Sequence, residues 1–290
     1  MNIGVVGLGL IGGSFAKALK KYTPHRVYGE DIQPDVCPQA LLDGAIDEVL
    51  TADLYRQCQV LIVALYPQLA IELISNYAER IAPGTLVIDC CGVKEPVIAA
   101  IEPLAQKYGF TFIGGHPMAG VENFGYTASV ADLFQGASMI LTPLPGLETQ
   151  LFQQAESLFL SIGFSSICRC TPQEHDRMIA YTSQLAHVVS SAYVQSPSAN
   201  NHLGFSAGSF DDMTRVAKLN ERMWTELFLA NKENLTEELD QLINRLQQFS
   251  LAIQSSDREA LFSLLHRGRT IRETIVEEER LAKEKRSCME

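Results

Sequence analysis

The stretch Ile3-Gly4-Val5-Val6-Gly7-Leu8-Gly9-Leu10-Ile11-Gly12-Gly13-Ser14 decides the fold. Four residues of strand character run into a glycine turn, and an apolar helix follows. Each glycine has a physical role. Gly7 permits the tight turn, Gly9 lets a pyrophosphate approach the backbone, and Gly12 lets the helix pack against the strand. The free N–H groups of the helix start offer partial positive charge to phosphates. About twenty residues on, the acidic pair Glu30-Asp31 ends a second strand, where a ribose hydroxyl would be met. Gly7, Leu8, Gly9, Leu10, Ile11, Gly12 and Asp31 are therefore the expected cofactor contacts. A carboxylate at Asp31 repels a 2′-phosphate and no arginine follows it directly, so NAD is expected over NADP.

Outward from this turn, short β-branched runs alternate with helical stretches through residue 170, the pattern of a parallel sheet covered on both faces. Strands are expected at 3–6, 26–28, 60–64, 86–89, 111–113, 139–141 and 166–168. After Thr171-Pro172 the alternation stops and helical spacing takes over. The expected fold class is α/β, a Rossmann-type doubly wound sheet at 1–170, followed by an all-α domain at 171–290. One helix is read over Pro172–Tyr193, with Glu174 and Asp176 near the positive end of its dipole. Leu235, Leu239, Leu242, Leu246, Phe249 and Ile253 recur at steps of four and three, a narrow apolar seam that needs a partner. Packing within the chain and a homodimer through the helical domain both satisfy it.

Of the 290 residues, 47% are hydrophobic and 20% charged, enough apolar matter for two cores. The longest apolar run, Val60 to Tyr66, is strand-sized, so no membrane span is expected. Without a basic flank and cleavage site before the first strand, a cytoplasmic location is expected. The net charge of −11 argues against nucleic acid as a partner. Seven cysteines show no zinc-ligand spacing, so no metal is expected and reduced thiols are the simpler reading.

Three further segments carry candidate chemistry. Asp89-Cys90-Cys91-Gly92-Val93-Lys94 and Gly114-Gly115-His116-Pro117-Met118-Ala119-Gly120-Val121-Glu122 each follow a strand and open at the carboxyl edge of the sheet, where ligands of such folds bind. In the helical part, Ser183 and His187 lie one turn apart, with Arg215 and Trp224 farther on. Taken alone, His187 reads as a core histidine, Arg215 as the partner of Asp211 or Asp212, and Lys94 as either solvated or bound to Asp89.

In these motifs and their order, the chain resembles the prephenate and arogenate dehydrogenases over nearly its whole length. The resemblance implies oxidative decarboxylation: a cyclohexadienol loses hydride to NAD and its ring carboxylate as carbon dioxide, driven by aromatisation. It implies His116 as the base that takes the hydroxyl proton, work suited to neutral imidazole. Arg215 is implied to grip a substrate carboxylate, with His187, Ser183 and Glu122 shaping the same pocket. Some relatives have serine at the position of Gly92, where its hydroxyl helps hold the substrate and the histidine; with Gly92, either Cys91, a water or a backbone N–H takes that role, or the chemistry proceeds without the contact. Because His187 and Arg215 make the helical side of the pocket cationic or neutral, with no acidic residue placed there against an ammonium, prephenate is the expected substrate over arogenate. A related Rossmann reductase, such as a 3-hydroxyacid dehydrogenase or an imine reductase, and a non-catalytic NAD sensor are the alternatives.

Overall fold

A computed structural model describes residues 1–121 and 123–287. Its first strands and helices are β1 (Asn2–Val6), α1 (Leu10–Tyr22), β2 (Arg26–Glu30), α2 (Val36–Leu42), β3 (Glu48–Val49), β4 (Val60–Val63), α3 (Pro67–Tyr77), β5 (Leu86–Asp89) and α4 (Glu95–Tyr108). The sheet is completed by β6 (Thr111–Pro117), β7 (Ser138–Pro143), α5 (Thr149–Ser161) and β8 (Ser166–Arg169). Helices follow: α6 (Pro172–Ile179), α7 (Leu185–Val194), α8 (Gly208–Thr214), α9 (Glu221–Ala230), α10 (Lys232–Gln254) and α11 (Arg258–Ser287).

The eight strands lie in the order β3-β2-β1-β4-β5-β6-β7-β8. The first six reproduce the 3-2-1-4-5-6 order of dinucleotide-binding sheets, with the switch point between β1 and β4. All pairs are parallel except β6 with β7. Every strand read from the sequence is present; β3, two residues long, was too short to leave a period.

Both faces of the sheet are covered. On one, Phe15, Phe134, Phe159 and Phe164 stack against Ile3, Val5 and Leu141. On the other, α3 and α4 bury Ala70, Ile74, Val97 and Ile101 against Val63 and Val87. This two-sided burial explains why the central strands read as continuous apolar runs.

The chain packs as two compact units, Met1–Leu235 and Thr236–Glu290. In the second, α10 ends at Gln254, and Ser256 takes a positive φ of 53° before Asp257 caps α11 through the N–H of Ala260. Arg269 with Glu273 and Arg272 with Glu279 form exposed ion pairs along α11. Among the described residues, no helix is long and apolar enough to cross a membrane, and no cluster of three or more metal-ligating side chains forms.

The glycine turn follows the steric reading. Gly7 sits at φ 82°, and a Cβ on Gly12 would lie 1.8 Å from the Gly7 carbonyl oxygen, whereas one on Gly9 would meet nothing within 4 Å. Gly12→Ala is thus expected to cost about 1–3 kcal/mol, as overpacking does, while Gly9→Ala stays within about 0.5 kcal/mol of the parent. Urea unfolding of the two variants measures the contrast.

Candidate active site

The first part of the site is the turn between β1 and α1. Helix α1 starts at Leu10 with no side-chain cap and no acidic residue in its first turn, so its N–H groups and dipole are uncompensated. The open space above Gly9 is where a phosphate could approach them. Asp31 stands beside this turn: one carboxylate oxygen accepts the Leu8 N–H at 2.7 Å and the other the Gln33 N–H at 2.9 Å. A carboxylate has about four acceptor positions, so two backbone bonds leave capacity for a ribose hydroxyl. Glu30, its neighbour, is directed elsewhere and accepts from the Tyr55 hydroxyl.

The second part is a chain of polar groups buried beneath the carboxyl edge of β5 and β6. Lys94 is fully buried; its ammonium pairs with Asp89 and donates to the Gly115 carbonyl at 2.6 Å. Asp89 also accepts the Cys91 and Gly115 N–H groups, at 2.9 and 3.1 Å. Of the two roles open to Lys94, the ion pair is therefore the one it adopts, and it ties β5 to β6.

His116 was expected in a loop, but it is a strand residue. It lies in β6, opposite Ile140 of β7. The β7 ladder at His116, and the bonds that the preceding Gly115 makes to Asp89 and Lys94, hold its backbone more firmly than a loop would. Its ring is half-buried, and Nδ1 lies 2.9 Å from Nε2 of His175, while Nε2 has no partner among the described residues. Burial, followed by the charges of His175 and Lys94, holds its pKa well below the ordinary histidine value.

His175 and Asp176 were not recognised as site residues from sequence. Both are buried, and His175 Nδ1 lies 2.6 Å from the Asp176 carboxylate. Burial lowers the His175 pKa, and the hydrogen bond to Asp176 works against that shift. The dipole reading of Asp176 within its own helix is corrected: its carboxylate accepts the Lys94 and Glu95 N–H groups at 2.7 and 2.9 Å, so it caps α4 instead. The start of α6 is served by Thr171 and Glu174 in a reciprocal capping box. The adjacent histidine and aspartate were the available signal, but only the docking of α6 on α4 directs them at His116.

The third part surrounds His187. The expected single helix over Pro172–Tyr193 is interrupted by a π turn at Ala180–Gln184 between α6 and α7. His175 and His187 are twelve residues apart, which at about 100° per residue sets them about 120° out of phase. A one-residue π insertion brings that to about 20°, so both face the same side. His187 donates from Nδ1 to the Ser183 carbonyl at 2.9 Å and stacks on Trp224 with ring centroids 3.8 Å apart. Ser183 thus contributes its carbonyl. Arg215, in a single 3-10 turn, makes no ion pair with Asp211, Asp212 or any other described carboxylate. Burial and then, after the opposing Ser183 bond, the Arg215 charge lower the His187 pKa.

Gly92 joins the second and third parts. A Cβ there would lie 3.2 Å from the Leu227 side chain, on the same helix as Trp224. Cys91 does not stand in for a serine hydroxyl, because its thiol points to the Leu65 carbonyl. Glu122 lies outside the described residues.

A family profile described as prephenate dehydrogenase, nucleotide-binding domain, matches residues 15–168, and one described as prephenate dehydrogenase, dimerization domain, matches residues 171–267. The chain belongs to the prephenate dehydrogenase family. It is 31% identical over 270 residues to the prephenate dehydrogenase of Bacillus subtilis, covering 89% of this chain and 71% of that one. It is similar to the structure of prephenate dehydrogenase from A. aeolicus in complex with hydroxyphenyl propionate and NAD+, with a TM-score of 0.81 and 27% identity over 95% of this chain and 98% of that one. Arogenate dehydrogenase from Synechocystis matches at a TM-score of 0.80 and 27% identity, over 95% of this chain and all of the other.

The buried histidines link fold to pH. A histidine whose folded pKa is depressed stays neutral while its unfolded counterpart protonates, so stability is present above the unfolded value near 6.5 and lost as pH falls toward the folded value. His116 and His175 are both depressed. Urea midpoints are expected to fall between pH 7.5 and 5.5, with a slope of up to about 1.4 kcal/mol per pH unit for each histidine kept neutral. His175→Leu is expected to flatten that slope.

Proposed function

We propose that this family member catalyses the NAD-dependent oxidative decarboxylation of prephenate to 4-hydroxyphenylpyruvate, the dehydrogenase step leading to tyrosine, with His116 as the base. The observation that carries this reading is an imidazole whose Nε2 has no partner among the described residues, fixed in a strand at the carboxyl edge of a Rossmann sheet. NAD, when bound, supplies the hydride acceptor. The uncapped start of α1, the open approach at Gly9 and the acceptor capacity of Asp31 fit that group.

The chain's own residues then have separable roles. His116 Nε2 takes the ring hydroxyl proton as hydride leaves the same carbon, and returns it to the phenolate oxygen once the ring carboxylate has gone as carbon dioxide. Its lowered pKa keeps the imidazole neutral and ready at physiological pH. Arg215, free of a described carboxylate, is the proposed fork for a substrate carboxylate. His187, held by Ser183 and Trp224, presents its other nitrogen to the same ligand. Gly92 and Leu227 supply an apolar wall, and Glu122 is assigned to the same pocket from its motif alone. Arogenate differs only in the side chain, where an amine replaces the keto group, and the neutral and cationic groups His187 and Arg215 on the helical side favour prephenate.

We assign 1–170 to the cofactor and 171–290 to substrate binding and dimerisation. Leu246 and Ile253 of α10 are exposed, as are Phe262 and Leu265 of α11, and a second copy would cover such positions in a homodimer. A cytoplasmic location accords with this biosynthetic role.

His116→Asn is expected to lower kcat roughly 100-fold or more with NAD affinity unchanged. Steady-state NADH formation with prephenate, followed together with carbon dioxide release, tests this; an unchanged kcat overturns the assignment. With NADP in place of NAD, kcat/KM is expected to fall roughly 100-fold, from the repulsion between Asp31 and a 2′-phosphate. Sedimentation is expected to give a dimer at micromolar concentration.

A further inference from the structure

We propose that His175 and Asp176 are positioning residues that set the tautomer of His116, so that its base nitrogen is Nε2. This rests on the reading of His116 as the base. It goes beyond that reading by assigning a role to two residues one shell away from the substrate.

The direction of the proton chain follows from its fixed end. Asp176 receives two backbone N–H groups at the start of α4, an arrangement that favours the ionised, acceptor-only carboxylate. His175 must therefore present Nδ1–H to it across the 2.6 Å contact. In a neutral ring this leaves Nε2 as an acceptor. His116, 2.9 Å away, must then donate from Nδ1, and its lone pair is left on Nε2. Turning either ring around places two lone pairs or two hydrogens against each other in a buried space, which costs more than a lost hydrogen bond.

The same chain responds as the proton arrives. When His116 accepts a proton on Nε2, its Nδ1–H becomes a charge-assisted donor to His175, and the Asp176 carboxylate stabilises the combined positive charge. The proton stays on the imidazoles, because Asp176 is already satisfied by α4. Other ionic groups around the pair are Lys94, which opposes the charge, and Asp89, which is neutralised by Lys94. Gly92 makes this contact the more significant. The position offers His116 no hydroxyl, and His175 is the ring's partner among the described residues.

Three variants and one spectrum decide the matter. In Asp176→Asn, the amide oxygen takes the place of the one carboxylate oxygen that both the Lys94 N–H and His175 Nδ1–H meet, which keeps both rings as they are and removes the negative charge; in His175→Leu, the His116 Nδ1–H loses its acceptor. In 15N-histidine-labelled protein, wild-type His116 is expected to carry its proton on Nδ1, and His175→Leu to shift it toward Nε2, the tautomer a free imidazole prefers. The kcat is expected to fall roughly 100-fold or more in Asp176→Asn and in His175→Leu, with KM for NAD unchanged. His175→Gln, whose amide oxygen can accept the His116 N–H, is expected to recover part of the loss. A wild-type His116 protonated on Nε2, or a His175→Leu kcat within threefold of the parent, overturns the proposal. A wild-type protein that shows the expected tautomer yet turns over neither prephenate nor arogenate counts against the function. In that case the relay stands if His175→Leu shifts the His116 proton toward Nε2 and falls if it does not.

Discussion

The Asp176 carboxylate is the interaction on which the rest of the site depends. It caps α4, whose first residues follow directly from the buried Lys94, and it holds His175 against His116. One side chain from the first helix after the sheet thus connects three elements. Its backbone carbonyl is held as well, by Asn231, which also donates to Gln184. A carboxylate buried without such partners would be expensive, and here three N–H groups offset its desolvation.

Beneath it, the ion pair of Lys94 with Asp89 plays a related part at the sheet edge. Two opposite charges at zero exposure are tolerable only because the Gly115 carbonyl and two backbone N–H groups complete their hydrogen bonding. The result is a rigid junction between β5 and β6, directly below His116. A base must be held within a fraction of an ångström of its target, and a strand paired with β7 at the base itself and tied to Asp89 and Lys94 through Gly115 provides that better than a free loop. Burial, then the charges of His175 and Lys94, act together to keep the imidazole neutral.

The helical side of the pocket is built differently. Its geometry depends on an irregularity, the π turn at Ala180–Gln184, which re-phases the helix so that residues twelve apart share a face. The same turn leaves the Ser183 carbonyl for His187 and places the buried Gln184 amide against the Leu227 carbonyl of α9. Regular helical spacing would have sent His187 to another side. The packing of α9 then brings Trp224 over His187 and Leu227 over Gly92.

What the sequence determined by itself was local. The glycine turn, the acidic end of β2 and the run of strands were legible because steric demands at Gly7 and Gly12, and burial of a sheet on both faces, leave their traces in neighbouring residues. The histidine segment and the cationic residues of the helical part were legible as motifs. The tertiary structure alone decided that His116 is a strand residue and that Asp176 serves α4 in place of its own helix. It also decided that His175 meets His116 across 59 residues of chain. The physical reason is that a hydrogen bond between distant side chains imposes no period on the sequence around it: its geometry is set by how helices dock on the sheet, and an adjacent His-Asp pair looks the same whether it faces water or a catalytic base.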